Sequence, residues 1–229
     1  MLNGLIIEPD GTQKYYLEDQ LHRTDGPAVI KPNGQLEYYQ YNQRHRDDGP
    51  AVIKPNGQLE YYQYNQRHRD DGPALIFPDG ARVAYYIHNE IHREDGPAII
   101  YASGSEYYYS HNMLHRESGP AIIIPNDSKH YYLNGQLHRT DGPAIEYDHG
   151  EKWYYVYGRK HRTDGPAIIY QESNDIRYYI NDQLHRIGGY AIIQPNHNNQ
   201  YYLYGTQYDQ NRYINRLMEM NIDIDFVLE

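Results

Sequence analysis

Residues 25–51 read DGPAVIKPNGQLEYYQYNQRHRDDGPA, and residues 48–74 repeat them letter for letter. That duplication defines the unit, and weaker copies of it run along the chain. Its marker is a histidine followed by arginine, at His22, His45, His68, His92, His115, His138, His161 and His185, in steps of 23, 23, 24, 23, 23, 23 and 24 residues. A fixed period of this length is the signature of a repeat architecture, in which each unit is one supersecondary element that buries its apolar face only against its neighbours.

Inside the unit, Ala28-Val29-Ile30 leads into Pro32-Asn33-Gly34, and Leu36-Glu37-Tyr38-Tyr39-Gln40-Tyr41 leads out. Proline suits the fixed φ of a turn and glycine the positive φ that follows, while β-branched and aromatic residues fill both arms, so the unit reads as a β-hairpin. Asp25-Gly26-Pro27 reads as the corner into the next hairpin, with glycine escaping the steric limit that proline places on its predecessor. The second tyrosine of each pair lies six residues before the histidine, as in Tyr39 to His45 and Tyr179 to His185, and the histidine six before the next alanine. The two longer steps place their extra residue in PDGARVAYY and QESNDIRYY, so hairpin tips accept insertion and histidine corners do not.

The fold class expected is all-β: an elongated, single, twisted antiparallel sheet of about nine tandem 23-residue hairpins, each of the length that parallels known solenoids. The array spans residues 1–207, and residues 208–229 form a helical cap and tail. Asp209 is placed as an N-cap, and Tyr213, Leu217 and Met220 form an apolar stripe at i, i+4 and i+7. The last residues alternate Ile222, Ile224 and Phe226 with acids, as a short strand or a flexible tail.

The local consensus YYxNxQLHRxDGPAxIxxPNG resembles the MORN repeat, from Leu5 to about Tyr204. The likeness is to the variant branch found in bacterial and viral proteins, antitoxin-like ones included. It implies one hairpin per repeat and a non-enzymatic role in holding a partner. The chain departs from the pattern after the histidine, where MORN units place glycine and this chain has arginine at Arg23, Arg46, Arg69, Arg93, Arg116, Arg139, Arg162 and Arg186.

Composition narrows the classes further. A formal charge of -10 sets the overall field against nucleic acid and disfavours an anionic membrane surface, although the latter stays open as a partner. The absence of cysteine removes disulfides and thiolate sites and fits a reducing, intracellular and cytoplasmic location. No basic leader opens the chain and no stretch approaches the roughly 20 apolar residues of a membrane span. The tyrosine-, isoleucine- and asparagine-rich style resembles that of AT-rich genomes, which points to a large DNA virus and then to the cytoplasm of its host cell.

The corners carry the sharpest chemical candidates: His22, Arg23 and Asp25; His45, Arg46 and Asp48; His68, Arg69 and Asp71; His92, Arg93 and Asp95; His138, Arg139 and Asp141; His161, Arg162 and Asp164. A histidine beside an acid can hold a metal or poise a general base. Eight copies argue instead for a bracket, and two of them, with Ser118 and Gly188 in place of the acid, lack the pair such a site needs. In the bracket reading the aspartate accepts turn N–H groups, arginine bridges to an acid and histidine donates to a carbonyl. No Walker loop, dinucleotide fingerprint, HExxH or GxSxG occurs, so no enzyme, cofactor or metal is expected.

The 29 tyrosines are the second candidate. Adjacent strand residues face opposite ways, which separates Tyr38 from Tyr39. The Tyr39 face, continued by Tyr41, Tyr62, Tyr64, Tyr86, Tyr109, Tyr132, Tyr155, Tyr157, Tyr179 and Tyr202, reads either as stacked ladders or as an aromatic trough for a protein. Three functional expectations follow. The first is a scaffold that binds another protein or itself, including a homodimer through the N-terminal edge strand, with an antitoxin or immunity-like inhibitor as a narrower form. The second is a binder of phospholipid headgroups or polyanions, which requires the arginine column to stand exposed without acid partners. The third is an enzyme at one singular corner, such as that of His161 or His115, and no chemistry promotes either.

Overall fold

The computed structural model describes residues 1–195 and 197–223. The chain divides into two compact units, residues 1–113 and 114–229. Both are built of antiparallel strands in hairpin order, as the repeat predicts, and the second adds one helix at its end.

In the first unit, Gly4–Ile7 pairs with Gln13–Leu17, which pairs with Val29–Ile30, and the meander continues through Leu36–Glu37, Val52–Ile53, Leu59–Glu60, Leu75–Ile76, Arg82–Ala84 and Ile99–Tyr101 to Glu106–Tyr107. Its outer turns are the Pro-Asn-Gly segments, where Gly34 takes φ 86° and donates its N–H to the Lys31 carbonyl at 2.9 Å. The extra residue of the first long repeat sits in such a turn, as a 3₁₀ turn over Pro78–Gly80.

The second unit repeats the plan through Ile122–Ile124, Ser128–His130, Ile145–Tyr147, Lys152–Trp153, Ile168–Tyr170, Asp175–Arg177 and Ile192–Ile193. It ends on the helix Gln210–Glu219, whose N-cap Asp209 accepts the Arg212 N–H at 2.9 Å. Tyr213 and Leu217 are fully buried against Leu203, with Met220 and Ile222 beside them, so the expected stripe covers the last hairpin. Ile224 and Phe226 lie outside the described residues.

One correction concerns the long arm. Leu36 to Tyr41 is not a single strand: the sheet strand stops at Glu37, and Tyr39–Gln40 pairs instead with Gln43–Arg44 in a second, two-stranded hairpin. Each repeat therefore has two hairpins, one in the main sheet and one in a second row. The second row includes Tyr62–Gln63 with Gln66–Arg67, Tyr86–Ile87 with Glu90–Ile91, and Tyr155–Val156 with Arg159–Lys160. Both central residues of its turns have positive φ, as in Tyr41 (48°) and Asn42 (62°), which is the type I′ pattern that matches strand twist. A two-residue turn has no slack, and this is why the tyrosine-to-histidine distance never varies.

The core is thin. Ala28, Ala51, Ala74 and Ala98 in the first unit, and Ala121, Ala144, Ala167 and Ala191 in the second, are completely buried. Beside them lie Val29, Val52, Leu75 and Ile99, and Ile122, Ile145 and Ile168. One aliphatic side chain per repeat contributes roughly 2 kcal/mol, too little for a lone repeat, so each depends on its neighbours. In the duplicated copies this inner face also holds Glu37, 3 % exposed, which Lys31 (2.8 Å), Arg44 (3.3 Å) and the Tyr39 hydroxyl (2.9 Å) neutralise.

Candidate interaction surface of corners and turn tips

Each corner histidine is an acceptor that joins one repeat to the next. The backbone N–H at the following turn tip donates to its Nδ1: Tyr41 to His22, Tyr64 to His45, His88 to His68, His111 to His92, Asn134 to His115, Tyr157 to His138, Asn181 to His161 and Tyr204 to His185, at 3.1–3.4 Å. A backbone amide can only donate, so Nδ1 carries no proton and the neutral ring keeps its hydrogen on Nε2. This reverses the expected donation by histidine to a carbonyl. Nε2 of His45 and His68 faces Asp47 and Asp70 at 3.0 Å. At His161 the Asn181 Oδ1 is placed 3.0 Å from Nδ1; because Nδ1 already accepts the Asn181 N–H, the side-chain amide is assigned the other way round, with its NH₂ group facing the ring.

Where the tip residue is aromatic, its ring lies on the histidine ring as well, with centroids 4.1–4.5 Å apart for Tyr41, Tyr64, His88, His111, Tyr157 and Tyr204. The second turn residue completes the clasp. Asn42 donates its N–H to the Leu21 carbonyl (2.9 Å) while its Oδ1 accepts the Leu21 N–H (2.7 Å), and Asn65, Asn89 and Asn112 do the same.

The arginine has a different seat. Its guanidinium lies 3.9–4.1 Å above the first tyrosine of the pair, as Arg23 over Tyr15, Arg46 over Tyr38, Arg69 over Tyr61, Arg93 over Tyr85, Arg139 over Tyr131 and Arg162 over Tyr154. On its other side is the corner glycine: a Cβ on Gly26 would come within 3.1 Å of the Arg23 Cζ, and one on Gly142 within 2.8 Å of the Arg139 Cζ. The glycine thus makes room for the guanidinium, which the sequence reading attributed to the following proline alone.

Nε of the same six arginines donates at 2.7–2.8 Å to Asp25, Asp48, Asp71, Asp95, Asp141 and Asp164. These aspartates accept from arginine rather than from turn amides, and the arginine hydrogen bond holds their carboxyls below the usual range. The arginine side chains are 21–24 % exposed and their carboxylates 79–82 %. A bare arginine column, which a polyanion binder requires, is not what these six corners present.

The tyrosines fall into two sets. Tyr39, Tyr62, Tyr86, Tyr109, Tyr132, Tyr179 and Tyr202 are half-buried and Tyr155 is buried, with Tyr86, Tyr109 and Tyr155 packed on the aliphatic core. Burial, and then the hydrogen bond to Glu37, push the Tyr39 hydroxyl up to about 12. Tyr41, Tyr64 and Tyr157 are not on that face, because they sit in the turns; they are 58–62 % exposed, with Tyr204 at 54 %. Sequence reading placed Tyr41, Tyr64 and Tyr157 on the wrong surface and missed the tip role of Tyr204, His88 and His111. The signal was present as Tyr-Asn, Tyr-Gly, His-Asn and Asn-Gly pairs midway between tyrosine pair and histidine.

Among the described residues no group of three or more His, Asp or Glu is placed to hold a metal, and no helix is long and apolar enough to cross a membrane. No protein-family model matches the chain, and neither does any curated protein.

Proposed function

We propose that the chain is a non-enzymatic repeat protein that holds another protein through the exposed rings of its turn tips. The observation that carries this reading is the conformation of Tyr41, Tyr64, Tyr157 and Tyr204, whose φ values of 47–48° are costly for an aromatic residue. Asn134 and Asn181 occupy the same place at φ 49° with the same N–H bond to histidine, so the fold itself does not need a ring there. A tyrosine that is exposed, locally strained and braced by a histidine is a preorganised contact, offering large area at small entropic cost. The corner histidines favour a structural role over catalysis because a backbone amide occupies Nδ1 in every copy.

The resemblance to MORN-type arrays supports the same reading, with an antitoxin-like inhibitor as its narrower form and a cytoplasmic setting. Self-association is a second reading, favoured by Leu5 and Ile7, 47 % and 64 % exposed on the N-terminal strand Gly4–Ile7.

The test is partner capture by the full chain and by a variant with Tyr41, Tyr64, Tyr157 and Tyr204 all changed to Asn. Relief of positive φ and loss of ring stacking nearly cancel, so stability changes by less than about 0.5 kcal/mol per site while capture of the wild-type partner falls at least about tenfold. Undiminished capture by the folded variant would remove the tips from the binding surface.

A further inference from the structure

The last corner differs from the others in a way that the cap explains only in part. Gly188, at φ 84°, stands where six copies have aspartate, and its N–H donates to the Tyr213 hydroxyl at 3.0 Å, which in turn donates to the Arg186 carbonyl at 2.7 Å. The helix has thus taken over the corner's backbone. It has not taken over the cation. Arg186 keeps the usual seat, 4.1 Å over Tyr178 and with one nitrogen donating to the Tyr190 carbonyl at 3.1 Å, yet no carboxylate among the described residues lies within ion-pair distance of it. The next residue has changed too: Ile187, 42 % exposed, replaces the Thr, Asp or Glu of every other copy.

Both changes open onto one groove of about 540 Å³, with Arg186 at its side and Ile180, Ile187 and Tyr204 among its walls. Asp164, also in the wall, is already held by Arg162 at 2.8 Å. The corresponding groove one repeat earlier has both arginines paired to their own acids.

We propose that this groove takes one acidic residue of a partner polypeptide, whose carboxylate fills the place the corner aspartate has elsewhere and whose aliphatic neighbour lies on Ile180 and Ile187. A single guanidinium edge fits a carboxylate, and the nearby Asp164 and the overall charge of -10 weigh against a polyanion. The apolar wall selects an aliphatic neighbour, and an open groove admits a continuous chain. The groove lies between successive corners and shares only Tyr204 with the turn tips, so the site would stand even if the tips bound nothing.

The test is an NMR titration of the full chain with acetyl-Leu-Asp-Leu-amide, against acetyl-Leu-Asn-Leu-amide and hexanoate. The aspartyl peptide is expected to shift the Ile187 and Gly188 amides and the Arg186 Nε–H saturably, with the asparaginyl peptide about tenfold weaker. Arg186→Gln removes the effect. Because that change also disturbs the Tyr178 stack, Ile187→Glu at an exposed position is the second variant: it places a negative charge in the groove and abolishes binding with the remaining spectrum unchanged. Equal binding of the two peptides, or no saturable shift up to about 10 mM, would overturn the site. Hexanoate binding as tightly as the aspartyl peptide would overturn the choice of a polypeptide.

Discussion

At the scale of the residue, His45 shows what the repeated motif is for. Its ring is 4 % exposed, Nδ1 takes the Tyr64 amide, Nε2 faces Asp47, and one flat side lies 4.3 Å from the Tyr64 ring. A side chain must therefore be flat, small and an acceptor at the Nδ1 position. Asparagine places its Oδ1 near that position, whereas glutamine places its oxygen nearer Nε2. His45→Ala is expected to destabilise by about 2 kcal/mol, from a lost hydrogen bond, a lost ring contact and a stranded amide. His45→Asn recovers about 1 kcal/mol of this and His45→Gln recovers less. Urea unfolding of the three variants measures the order, and equal losses for Asn and Gln would show that the Nδ1 contact contributes nothing.

At the scale of the element, the unit is a pair of hairpins whose second member is tied to its neighbour by a turn residue. In three copies that residue is Gly135, Gly158 or Gly205, which keeps the N–H to carbonyl bond but has no side-chain acceptor. Gly158 has φ 75°, which asparagine tolerates, and a Cβ there meets only Gln136 at an ordinary 3.9 Å. Gly158→Asn is expected to stabilise by about 0.5–1 kcal/mol, through the restored bond to Leu137 and a less flexible unfolded chain, seen as a higher Tm. The first hairpin was legible because Pro32-Asn33-Gly34 separates two β-rich runs, and the cap because Asp209 precedes a clean i, i+4, i+7 stripe. The second hairpin was not. A type I′ turn normally shows itself through Asn or Gly at both centres, and here Tyr41, Tyr64 and Tyr157 fill the first, so an unbroken aromatic run suggested an unbroken strand. The seat of the arginine was equally hidden, since nothing in DGPA says that the glycine faces the guanidinium of the arginine three residues before it.

At the scale of the whole molecule, stability follows pH through groups in both units, Tyr39 and Glu60 in the first and His130, Tyr155, His185 and Tyr201 in the second. Burial lowers the pKa of His185 and His130, so each favours the neutral ring in the folded state; their contribution is intact above the ordinary value of 6.5 and is lost as pH falls below it. Burial raises the Glu60 carboxyl, but hydrogen bonds from Lys54, Arg67 and Tyr62 outweigh it and pull it down to about 2, so its contribution is lost as pH falls from 4.5. Tyr39, Tyr155 and Tyr201 are pushed up to about 12, chiefly by burial, and their contribution fades as pH rises past 10. Tm is therefore expected to be flat from about pH 7 to 10 and to fall on either side, first gently below 6.5 and then steeply below 4.5, which calorimetry across pH will check. The central claim, that the eight corner histidines are neutral acceptors joining repeat to repeat, has a more direct test in two-bond ¹H–¹⁵N correlation of the imidazoles at pH 7.5. All eight rings should show the proton on Nε2 and an unprotonated, hydrogen-bonded Nδ1; corner rings with the proton on Nδ1, or tautomers in free exchange, would contradict the account.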